Sequence, residues 1–464
     1  MTWNKRFRSS WEFTISQAVS KGILYIFRTY IETKENGMCY GMKRIGKITG
    51  MAIALLTGFC LCTTTLQGEE LSPSSLYAQG AVLMDAGSGR VLFSKNGDVP
   101  LSMASTTKIL TCILTLENVD LSEEVAVSAY ATSMPKVKLY IKKGETYVLQ
   151  DLIYSLMLES HNDVAVAIAE HIGTKLLDGK VPADVSAHTT EESKLAVLTF
   201  AKQMNEKAKE IGCEDSYFVT PNGLDGTYDG KEHHSTAEDM ARIMAYCVMN
   251  SEKKDMFLQI TQKESHSFTA NGRSFYLANH NAFLHMMDGV LSGKTGFTNK
   301  AGYCYVGALE SEGRTYTIAL LGCGWPNNKT YKWADAKTLF GYGKENFEYI
   351  STEEIEESTL MPEKLRVVNG QTQSIGEEAK VHLSIVEKEK EINVLGKASE
   401  VFFAKVSLPE KLHAPVEEGE KVGSISYLLG GEVYMVKDIV LARGVEAVDY
   451  RWCLDRVLDV FLLF

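Results

Sequence analysis

Residues 103–116 read Met-Ala-Ser-Thr-Thr-Lys-Ile-Leu-Thr-Cys-Ile-Leu-Thr-Leu, and they decide how the rest of the chain is interpreted. The apolar run that begins at Ile109 predicts a buried helix. Ser105 and Lys108 stand three residues apart at the start of this helix, so they share one face and can touch. Unpaired backbone N–H groups and the positive end of the helix dipole also lie there, and both favour a developing alkoxide.

This pair predicts a nucleophile and its base. A serine hydroxyl is a poor nucleophile at neutral pH and needs a base within hydrogen-bond reach. A free lysine is protonated, so the pKa of Lys108 has to fall before its amine can accept a proton. Burial beside the apolar helix and a like charge nearby both act in that direction. Taken alone, a serine such as Ser105 before an apolar helix is more often a simple N-cap.

A second motif, Ser160-His161-Asn162, follows an apolar stretch at 149–158 that predicts a helix. Ser160 can relay a proton to a leaving amine. Asn162 can hold the amide of a substrate or the side chain of Lys108 in register. The simpler interpretation of this motif on its own is a turn between two helices.

A third motif, Lys294-Thr295-Gly296, lies in a stretch at 289–298 that predicts a strand. Lys294 is predicted to stay charged, to lower the pKa of the first lysine and to attract a carboxylate, to which Thr295 can donate a hydrogen bond. Gly296 belongs to the same predicted substrate-binding strand. The backbone N–H of the nucleophile and one from Phe297 or Thr298 are predicted to form an oxyanion hole.

Two of the three motifs also occur elsewhere in the chain. Ser-x-x-Lys recurs at 133–136, where a proline interrupts it, and at 251–254, in a polar stretch that predicts a solvated turn. Ser-x-Asn recurs at 94–96. No apolar helix follows these copies. The combination of three motifs in one order is therefore more informative than any one of them.

The motifs and their flanks resemble the low-molecular-weight penicillin-binding proteins, the serine D-alanyl-D-alanine carboxypeptidases of peptidase family S11. The resemblance runs from about residue 80 to the end of the chain. The segments that carry it are Met103-Ala104-Ser105-Thr106-Thr107-Lys108-Ile109-Leu110-Thr111, Pro221-Asn222-Gly223-Leu224-Asp225, His234-Ser235-Thr236-Ala237, Gly293-Lys294-Thr295-Gly296-Phe297-Thr298 and Ala301-Gly302-Tyr303-Cys304.

The resemblance implies the substrate, a peptidoglycan stem peptide that ends in D-Ala-D-Ala. Attack on the penultimate carbonyl would release the last D-alanine and leave an acyl-enzyme on Ser105, which water then hydrolyses. β-Lactam antibiotics would acylate the same serine. No metal or organic cofactor is implied, and the histidines show no zinc spacing. Relatives often add an arginine after the third motif, where this chain offers Lys329 and Lys332.

Three other functions stay open at this stage. A class A β-lactamase shares the motifs but adds a Glu-x-x-Leu-Asn loop, which is missing between residues 160 and 294. A muropeptide DD-endopeptidase of the same fold would cut cross-links instead of terminal residues. A wall-binding protein without activity would not need the intact motifs.

The order of elements predicts an α+β fold, a β-lactamase/transpeptidase-like antiparallel sheet with an inserted helical block. Strands are expected at 80–94 and 289–323 with helices between them, and residues 174–192 look like a polar insertion. After residue 351, short alternating strands predict a small all-β sandwich domain. The predicted domains are a catalytic domain at 79–350, the β-domain at 351–443 and an amphipathic membrane-anchor helix at 444–464.

The N-terminal region predicts export. A basic stretch with a short apolar core, at 42–62, resembles a signal peptide, so residues 42–78 are assigned as signal peptide and linker. Residues 1–41 are interpreted as a start-site extension. The expected location is the outer face of the cytoplasmic membrane or the cell wall. The formal charge of −11 argues against nucleic acid as a partner.

The C-terminal segment predicts an amphipathic helix. Its apolar residues recur on one face and its charged residues on the other, and the chain ends in Phe-Leu-Leu-Phe. The apolar face is Tyr450, Leu454, Val457, Leu458 and Phe461. A membrane surface is the predicted partner of this face, and docking on the protein's own β-domain is the alternative.

Overall fold

The computed structural model describes residues 70–353, 355–386 and 391–462. The predicted start-site extension at 1–41 lies outside the described residues, and so does most of the predicted signal region at 42–78. The helices are α1 (Lys108–Asn118), α2 (Ala129–Thr132), α3 (Leu149–Leu158), α4 (Asn162–Leu177), α5 (Thr190–Ile211), α6 (Ala237–Ala245), α7 (Lys254–Gln262), α8 (Tyr331–Asn346) and α9 (Tyr450–Leu462).

The strands fall into two sets separated by α8. The first set is β1 (Gly80–Asp85), β2 (Val91–Lys95), β3 (Glu124–Ala126), β4 (Thr146–Val148), β5 (Thr227–Tyr228), β6 (Lys231–Glu232), β7 (Ser265–Ala270), β8 (Arg273–Ala278), β9 (Val290–Thr298), β10 (Gly302–Ser311) and β11 (Arg314–Leu321). The second set is β12 (Glu348–Ser351), β13 (Lys364–Val368), β14 (Ala379–Ile385), β15 (Asn393–Gly396), β16 (Phe403–Ser407), β17 (Leu412–His413), β18 (Lys421–Leu429) and β19 (Glu432–Leu441).

A five-stranded antiparallel sheet with the order β2-β1-β11-β10-β9 forms the centre of the first part. The first hairpin of this part pairs with its last strand, with Gly80 opposite Leu321. Strand β11 is buried along its whole length because apolar clusters cover both faces of the sheet, one built on α1 and α6 and the other on α8. The predicted α+β fold with a helical block inside an antiparallel sheet is confirmed.

Two details of the helical block differ from the prediction. The expected polar insertion at 174–192 is helical at both ends, because α4 continues to Leu177 and α5 begins at Thr190. A capping box fixes the start of α5: Thr189 accepts the N–H of Glu192 at 3.3 Å, and the Glu192 carboxylate accepts the N–H of Thr189 at 2.8 Å. The prediction also missed α7 and the hairpin of β7 and β8.

The C-terminal β-domain, defined here as β13 to β19, is all-β as predicted. Six of its strands pair in the order β16-β18-β19-β14-β13-β17 and enclose two apolar clusters. Strand β12 crosses the predicted boundary at residue 350 and pairs with β15. Arg90, in the first hairpin, also binds the Glu400 carboxylate at 2.5 Å and the Leu395 carbonyl at 2.9 Å. The sheet domain and the β-domain are therefore joined by a strand pair and a charged contact.

Helix α9 touches the β-domain through one narrow side. Trp452 donates from Nε1 to the Thr372 carbonyl at 3.2 Å, and Arg456 donates to the Gln373 carbonyl at 3.1 Å. These two side chains are four residues apart and so share a face. The apolar side chains lie on the opposite face and are exposed, namely Tyr450, Leu454, Val457, Leu458 and Phe461.

The six cysteines among the described residues are unpaired. Four of them lie in apolar runs of the sequence and are fully buried, as small hydrophobic residues are: Cys112, Cys247, Cys304 and Cys323. Burial raises the pKa of the Cys304 thiol to about 12, so it is not a reactive thiolate at neutral pH. Within the described ranges, no helix combines the length and apolar character needed to cross a bilayer.

Candidate active site

The turn that carries Ser105 is a 3-10 turn, Ala104–Thr107, that runs directly into α1. Side chains hold it closed, because Thr106 donates to the Met103 carbonyl at 2.6 Å and Thr107 donates to the Ala104 carbonyl at 2.8 Å. Ala104 has a φ of +50°, a left-handed conformation that costs energy for a residue with a Cβ. Such strain is kept only where the surroundings over-determine it, as they do here.

The side chain of Lys108 is completely buried and reaches back to the serine. Its Nζ lies 2.9 Å from the Oγ of Ser105, 2.9 Å from the Oδ1 of Asn162 and 2.6 Å from the carbonyl oxygen of Asn222. Three of the seven predicted site residues are thus in direct contact or share one partner: Ser105, Lys108 and Asn162. The contact between Ser105 and Lys108 agrees with the prediction that two residues three positions apart at the start of the helix can touch.

The partners of Lys108 determine what its amine can do. The Oδ1 of Asn162 and the carbonyl of Asn222 are acceptors only, whereas a serine hydroxyl can donate. A neutral amine has two N–H donors and one lone pair. When the two donors serve the two acceptors, the lone pair is left for the hydroxyl proton of Ser105. The arrangement therefore suits a neutral lysine that acts as a base.

Electrostatics favour that neutral form. Burial lowers the pKa of Lys108 well below its ordinary value, and the nearby charge of Lys294 lowers it further. Asp163 acts in the opposite direction, with a smaller effect. The sequence analysis expected both burial and Lys294, and burial is the larger of the two causes.

The second motif forms the turn between α3 and α4. Ser160 has a φ of +67°, and its buried Oγ has no hydrogen-bond partner among the described residues. His161 is buried, with Nδ1 2.7 Å from the Oγ of Ser155 and Nε2 3.3 Å from a carboxylate oxygen of Glu159. Burial, followed by the charge of Lys108, lowers the pKa of His161 to about 4. This histidine is therefore a neutral anchor of the turn.

The third motif lies on the edge strand β9 of the sheet, against the turn that carries Ser105. A Cβ on Gly296 would lie 2.8 Å from the backbone nitrogen of Ser105, so only glycine allows this approach. Lys294 is 2 % exposed and donates from Nζ to the carbonyl of Thr295 at 3.1 Å. Burial lowers the pKa of Lys294 to about 7. The side chain of Thr295 is half-buried on the same strand.

If Lys108 is the base and Lys294 binds a carboxylate, as the sequence predicts, acylation at low substrate concentration should have a bell-shaped pH dependence. In acid, protonation of Lys108 removes the base. Above a pH of about 7, Lys294 loses its proton and can no longer attract a carboxylate, so the rate falls as the pH rises. Stopped-flow acylation by a fluorescent penicillin would measure the profile. A rate that keeps rising into the alkaline range would contradict the assigned role of Lys294.

Asn222 and Gly223 form part of the site and had no assigned role in the sequence analysis. The Asn222 carbonyl accepts from Lys108 and lies 3.3 Å from the Oγ of Ser105. Gly223 has a φ of +81°, and a Cβ there would lie 1.9 Å from the carbonyl oxygen of Ala104. The segment around them was quoted only for its resemblance, and its contacts join residues more than a hundred positions apart.

His233 anchors the same segment to the 3-10 turn that carries Ser105. Its Nδ1 accepts the N–H of Val219 at 3.0 Å, so Nε2 carries the proton and donates to the Oγ1 of Thr107 at 2.9 Å. Burial lowers the pKa of His233 to about 3, which keeps the ring neutral. His233 is thus a buried residue that packs the turn.

Asp163 is a second residue that sequence reasoning missed. Its buried carboxylate accepts the backbone N–H groups of Leu139 at 3.0 Å, Tyr140 at 2.9 Å and Ile141 at 3.3 Å. Asp163 directly follows Asn162, so one pair of adjacent residues binds both Lys108 and a loop beside the site. This loop, residues 133–143, is called the mouth loop below.

The remaining predicted residues lie elsewhere or are already engaged. Ser251, expected in a solvated turn, is buried, and its Oγ donates to the Glu117 carboxylate at 2.6 Å. Lys332, considered as an extra carboxylate-binding cation, is buried, and its Nζ donates to the Lys329 carbonyl at 2.6 Å. The same Nζ lies 4.8 Å from the centre of the Tyr303 ring. Lys332 is thus held within the protein by its own neighbours.

The sequence profiles of two families match the chain. One family, described as D-alanyl-D-alanine carboxypeptidase of the peptidase S11 type, matches residues 67–176 and 196–322, which together make up half of the chain. The other, described as penicillin-binding protein 5, C-terminal domain, matches residues 357–447. The first match contains the three motifs, and the second contains the whole C-terminal β-domain, β13 to β19.

Individual proteins are similar to the chain over most of its length. A D-alanyl-D-alanine carboxypeptidase of Bacillus subtilis, DacF, is 26% identical over 91% of this chain and 100% of its own length. Another from Mycobacterium tuberculosis, DacB2, is 32% identical over 57% of this chain and 82% of its own length. The solved structure of penicillin-binding protein 5 from Haemophilus influenzae has a TM-score of 0.58 and 25% identity, and the match covers 81% of this chain and 100% of that one.

Proposed function

Because the chain belongs to peptidase family S11, the D-alanyl-D-alanine carboxypeptidases, we propose that Ser105 is its nucleophile and that it removes the terminal D-alanine from peptidoglycan stem pentapeptides. Carboxypeptidase activity is the function of the family. The observation that carries the assignment of the nucleophile is the contact between Ser105 and the buried Nζ of Lys108 at 2.9 Å. Of the Ser-x-x-Lys copies in the sequence, this one precedes an apolar helix and has a buried lysine.

The reaction follows from the contacts of these groups. Neutral Lys108 accepts the hydroxyl proton of Ser105 as the oxygen attacks the penultimate D-Ala carbonyl. The oxyanion accepts hydrogen bonds from the backbone N–H of Ser105 and from that of Phe297 or Thr298. The proton passes by way of Ser160 to the leaving amine, and D-alanine departs.

Deacylation uses the same groups in reverse. A water molecule loses a proton to neutral Lys108 and attacks the acyl-enzyme carbonyl. The proton returns to the Oγ of Ser105 as the ester bond breaks, which restores the free enzyme and releases the shortened peptide. No oxidant, metal ion or organic cofactor takes part in this scheme.

We assign the binding of the substrate's terminal carboxylate to the third motif on β9. Lys294 supplies the charge, Thr295 a hydroxyl donor, and Gly296 the open space against the nucleophile turn. Asn162 holds Lys108 and the substrate amide. β-Lactams carry a carboxylate at the matching place and would acylate Ser105 in the same orientation.

Labelling with a fluorescent penicillin, followed by peptide mass spectrometry, tests the assignment. We expect the label on the tryptic peptide that contains Ser105. A label on another residue would overturn the proposal. Product analysis with a stem pentapeptide and with a cross-linked muropeptide dimer then separates carboxypeptidase from endopeptidase activity, and we expect release of free D-alanine from the pentapeptide.

We further propose that the protein is exported and that α9 attaches it to a membrane surface, with the β-domain at 351–443 as a spacer. The support is the orientation of α9. Its polar side holds the β-domain through Trp452 and Arg456, while its apolar face is exposed, with Tyr450 84 % and Phe461 75 % accessible. Docking on the protein's own β-domain would bury that face.

Serine substitutions on the two faces of α9 test the membrane attachment. The double variant Leu454→Ser and Leu458→Ser removes apolar area, so we expect binding to phosphatidylcholine vesicles to fall on the order of tenfold. Asp455→Ser and Asp459→Ser change the same number of residues on the polar face and should leave binding as it was. Co-sedimentation measures both. Equal vesicle binding by the two double variants would contradict the proposal.

A further inference from the structure

The mouth loop joins the active site through two asparagines. Asn162 accepts from Lys108 through Oδ1, and at its other atoms it binds the loop: its Nδ2 donates to the Pro135 carbonyl at 3.3 Å and its backbone N–H to the Val137 carbonyl at 2.8 Å. Asn222, whose carbonyl also binds Lys108, has its Nδ2 3.8 Å from the sulfur of Met134. The mouth loop is therefore connected to Lys108 through a single intervening residue, either Asn162 or Asn222.

Lys136 stands at the centre of this attachment. It lies between the two residues whose carbonyls Asn162 binds, and its own side chain is exposed. The exposed side chain of Lys136 therefore extends from a stretch of backbone that Asn162 holds on both sides. The mouth loop is also held further along, because the Asp163 carboxylate accepts the backbone N–H groups of residues 139–141.

The charge of the mouth loop contrasts with that of the protein. Four lysines occur between residues 136 and 143, whereas the formal charge of the whole chain is −11. The first carboxylate after them, Glu145, is bound by Arg273 at 2.6 Å. Of the four, Lys138 donates to the Thr132 carbonyl at 2.6 Å and so has a structural partner. The exposed ones are Lys136, Lys142 and Lys143.

We propose that Lys136 binds a carboxylate on the acyl side of the substrate, upstream of the scissile bond, and so selects anionic peptides. This inference rests on the proposed function, because it takes the terminal carboxylate to be bound by Lys294 on β9. A cation on the mouth loop, which joins the site at Asn162 and Asn222, then meets another part of the peptide. The ligand class is an acylated peptide with a free carboxylate close to its D-Ala-D-Ala end.

The expected effect of Lys136 on the rate constant is small because its side chain is exposed to solvent. A solvent-exposed ion pair contributes modestly, so one carboxylate should change the second-order rate constant by about two- to fivefold. The effect should also shrink with added salt, because screening weakens an exposed pair. Lys136 is thus expected to act on substrate preference, and the chemistry at Ser105 does not depend on it.

Two penicillins provide a matched pair of probes. Benzylpenicillin and carbenicillin differ by a single carboxylate on the acyl side chain. We would measure the acylation rate constant of Ser105 for both in the full chain and in Lys136→Met, Lys136→Arg and Lys180→Met. Lys180 is an exposed lysine in the connection between α4 and α5, so Lys180→Met makes the same change of charge far along the chain from the mouth loop.

We expect the ratio of carbenicillin to benzylpenicillin rate constants to fall about two- to fivefold in Lys136→Met and to stay at its original value in Lys136→Arg and Lys180→Met. A stem pentapeptide and its amidated form, with D-isoglutamine in place of D-glutamate, should show the same change in the ratio of kcat/KM.

Two results would overturn the inference, and they differ from each other. If every variant is acylated and the ratio in Lys136→Met equals that of the unchanged protein, Lys136 does not bind the carboxylate and the proposed function stands. If neither penicillin labels the unchanged protein at Ser105, the proposed function fails and this inference fails with it.

Discussion

Ser105→Ala is expected to abolish covalent labelling by penicillin and to lower kcat/KM for a D-Ala-D-Ala peptide by about 10⁴-fold or more. The hydroxyl is the group that would form the acyl-enzyme, and its neighbours offer no substitute. Thr106 and Thr107 donate to carbonyls of their own turn. Intact-protein mass spectrometry after incubation with penicillin, together with D-alanine release, measures both effects.

Lys108→Met tests the base by itself. Methionine keeps the length and apolar contacts of the side chain but has no amine to accept the hydroxyl proton of Ser105, so we expect a loss of similar order.

Ser133→Ala is the matched control for Ser105→Ala, because it alters another Ser-x-x-Lys copy, whose serine is exposed and donates to the Tyr130 carbonyl. Labelling that persists in Ser105→Ala, or that is lost in Ser133→Ala, would contradict the assignment.

Gly223→Ala should lower the acylation rate on the order of 100-fold although residue 223 takes no part in the chemistry. The added Cβ would lie 1.9 Å from the carbonyl oxygen of Ala104 and 2.9 Å from the backbone nitrogen of Ser105. These are backbone atoms, so the nucleophile turn has to move. Because that turn holds both the hydroxyl and one predicted oxyanion donor, a shift of about 1 Å removes the alignment that the reaction requires.

Gly230→Ala separates this clash from the general cost of the backbone conformation. Gly230 also has a positive φ, +74°, but a Cβ there would meet nothing within 4 Å. Both alanines pay about 1 kcal/mol for the left-handed conformation, which thermal unfolding measures. Acylation per folded molecule should fall only in Gly223→Ala. Equal acylation rates in the two variants would show that the nucleophile turn tolerates displacement.

The sequence was sufficient for the parts of the site that depend on local spacing. Ser105 and Lys108 meet because they are three residues apart on one turn, and Gly296 was placed by its motif. Asn222 and Asp163 were missed because their role depends on carbonyl and carboxylate contacts made across the fold. Neither residue belongs to a sequence motif from which its contact partner could be predicted.

Some missed elements did carry a signal in the sequence. The hairpin of β7 and β8 turns at Asn271-Gly272, both with positive φ, and this dipeptide between alternating residues is a strong hairpin signal. The capping box of Thr189 and Glu192 likewise marked the start of α5 within the supposed insertion. In contrast, the amphipathic pattern of α9 predicted its two faces, but only the contacts of Trp452 and Arg456 show which one the β-domain holds.

From the pairing of β1 with β11 we also expect a limit on when, during its synthesis, the protein can first react with penicillin. Gly80 pairs with Leu321, and the nucleophile turn lies between them in sequence. A ribosome makes the serine more than two hundred residues before the sheet can close, and closing so long a loop is slow. A nascent chain that stops short of β11 should therefore be resistant to penicillin, whereas the finished polypeptide is its target.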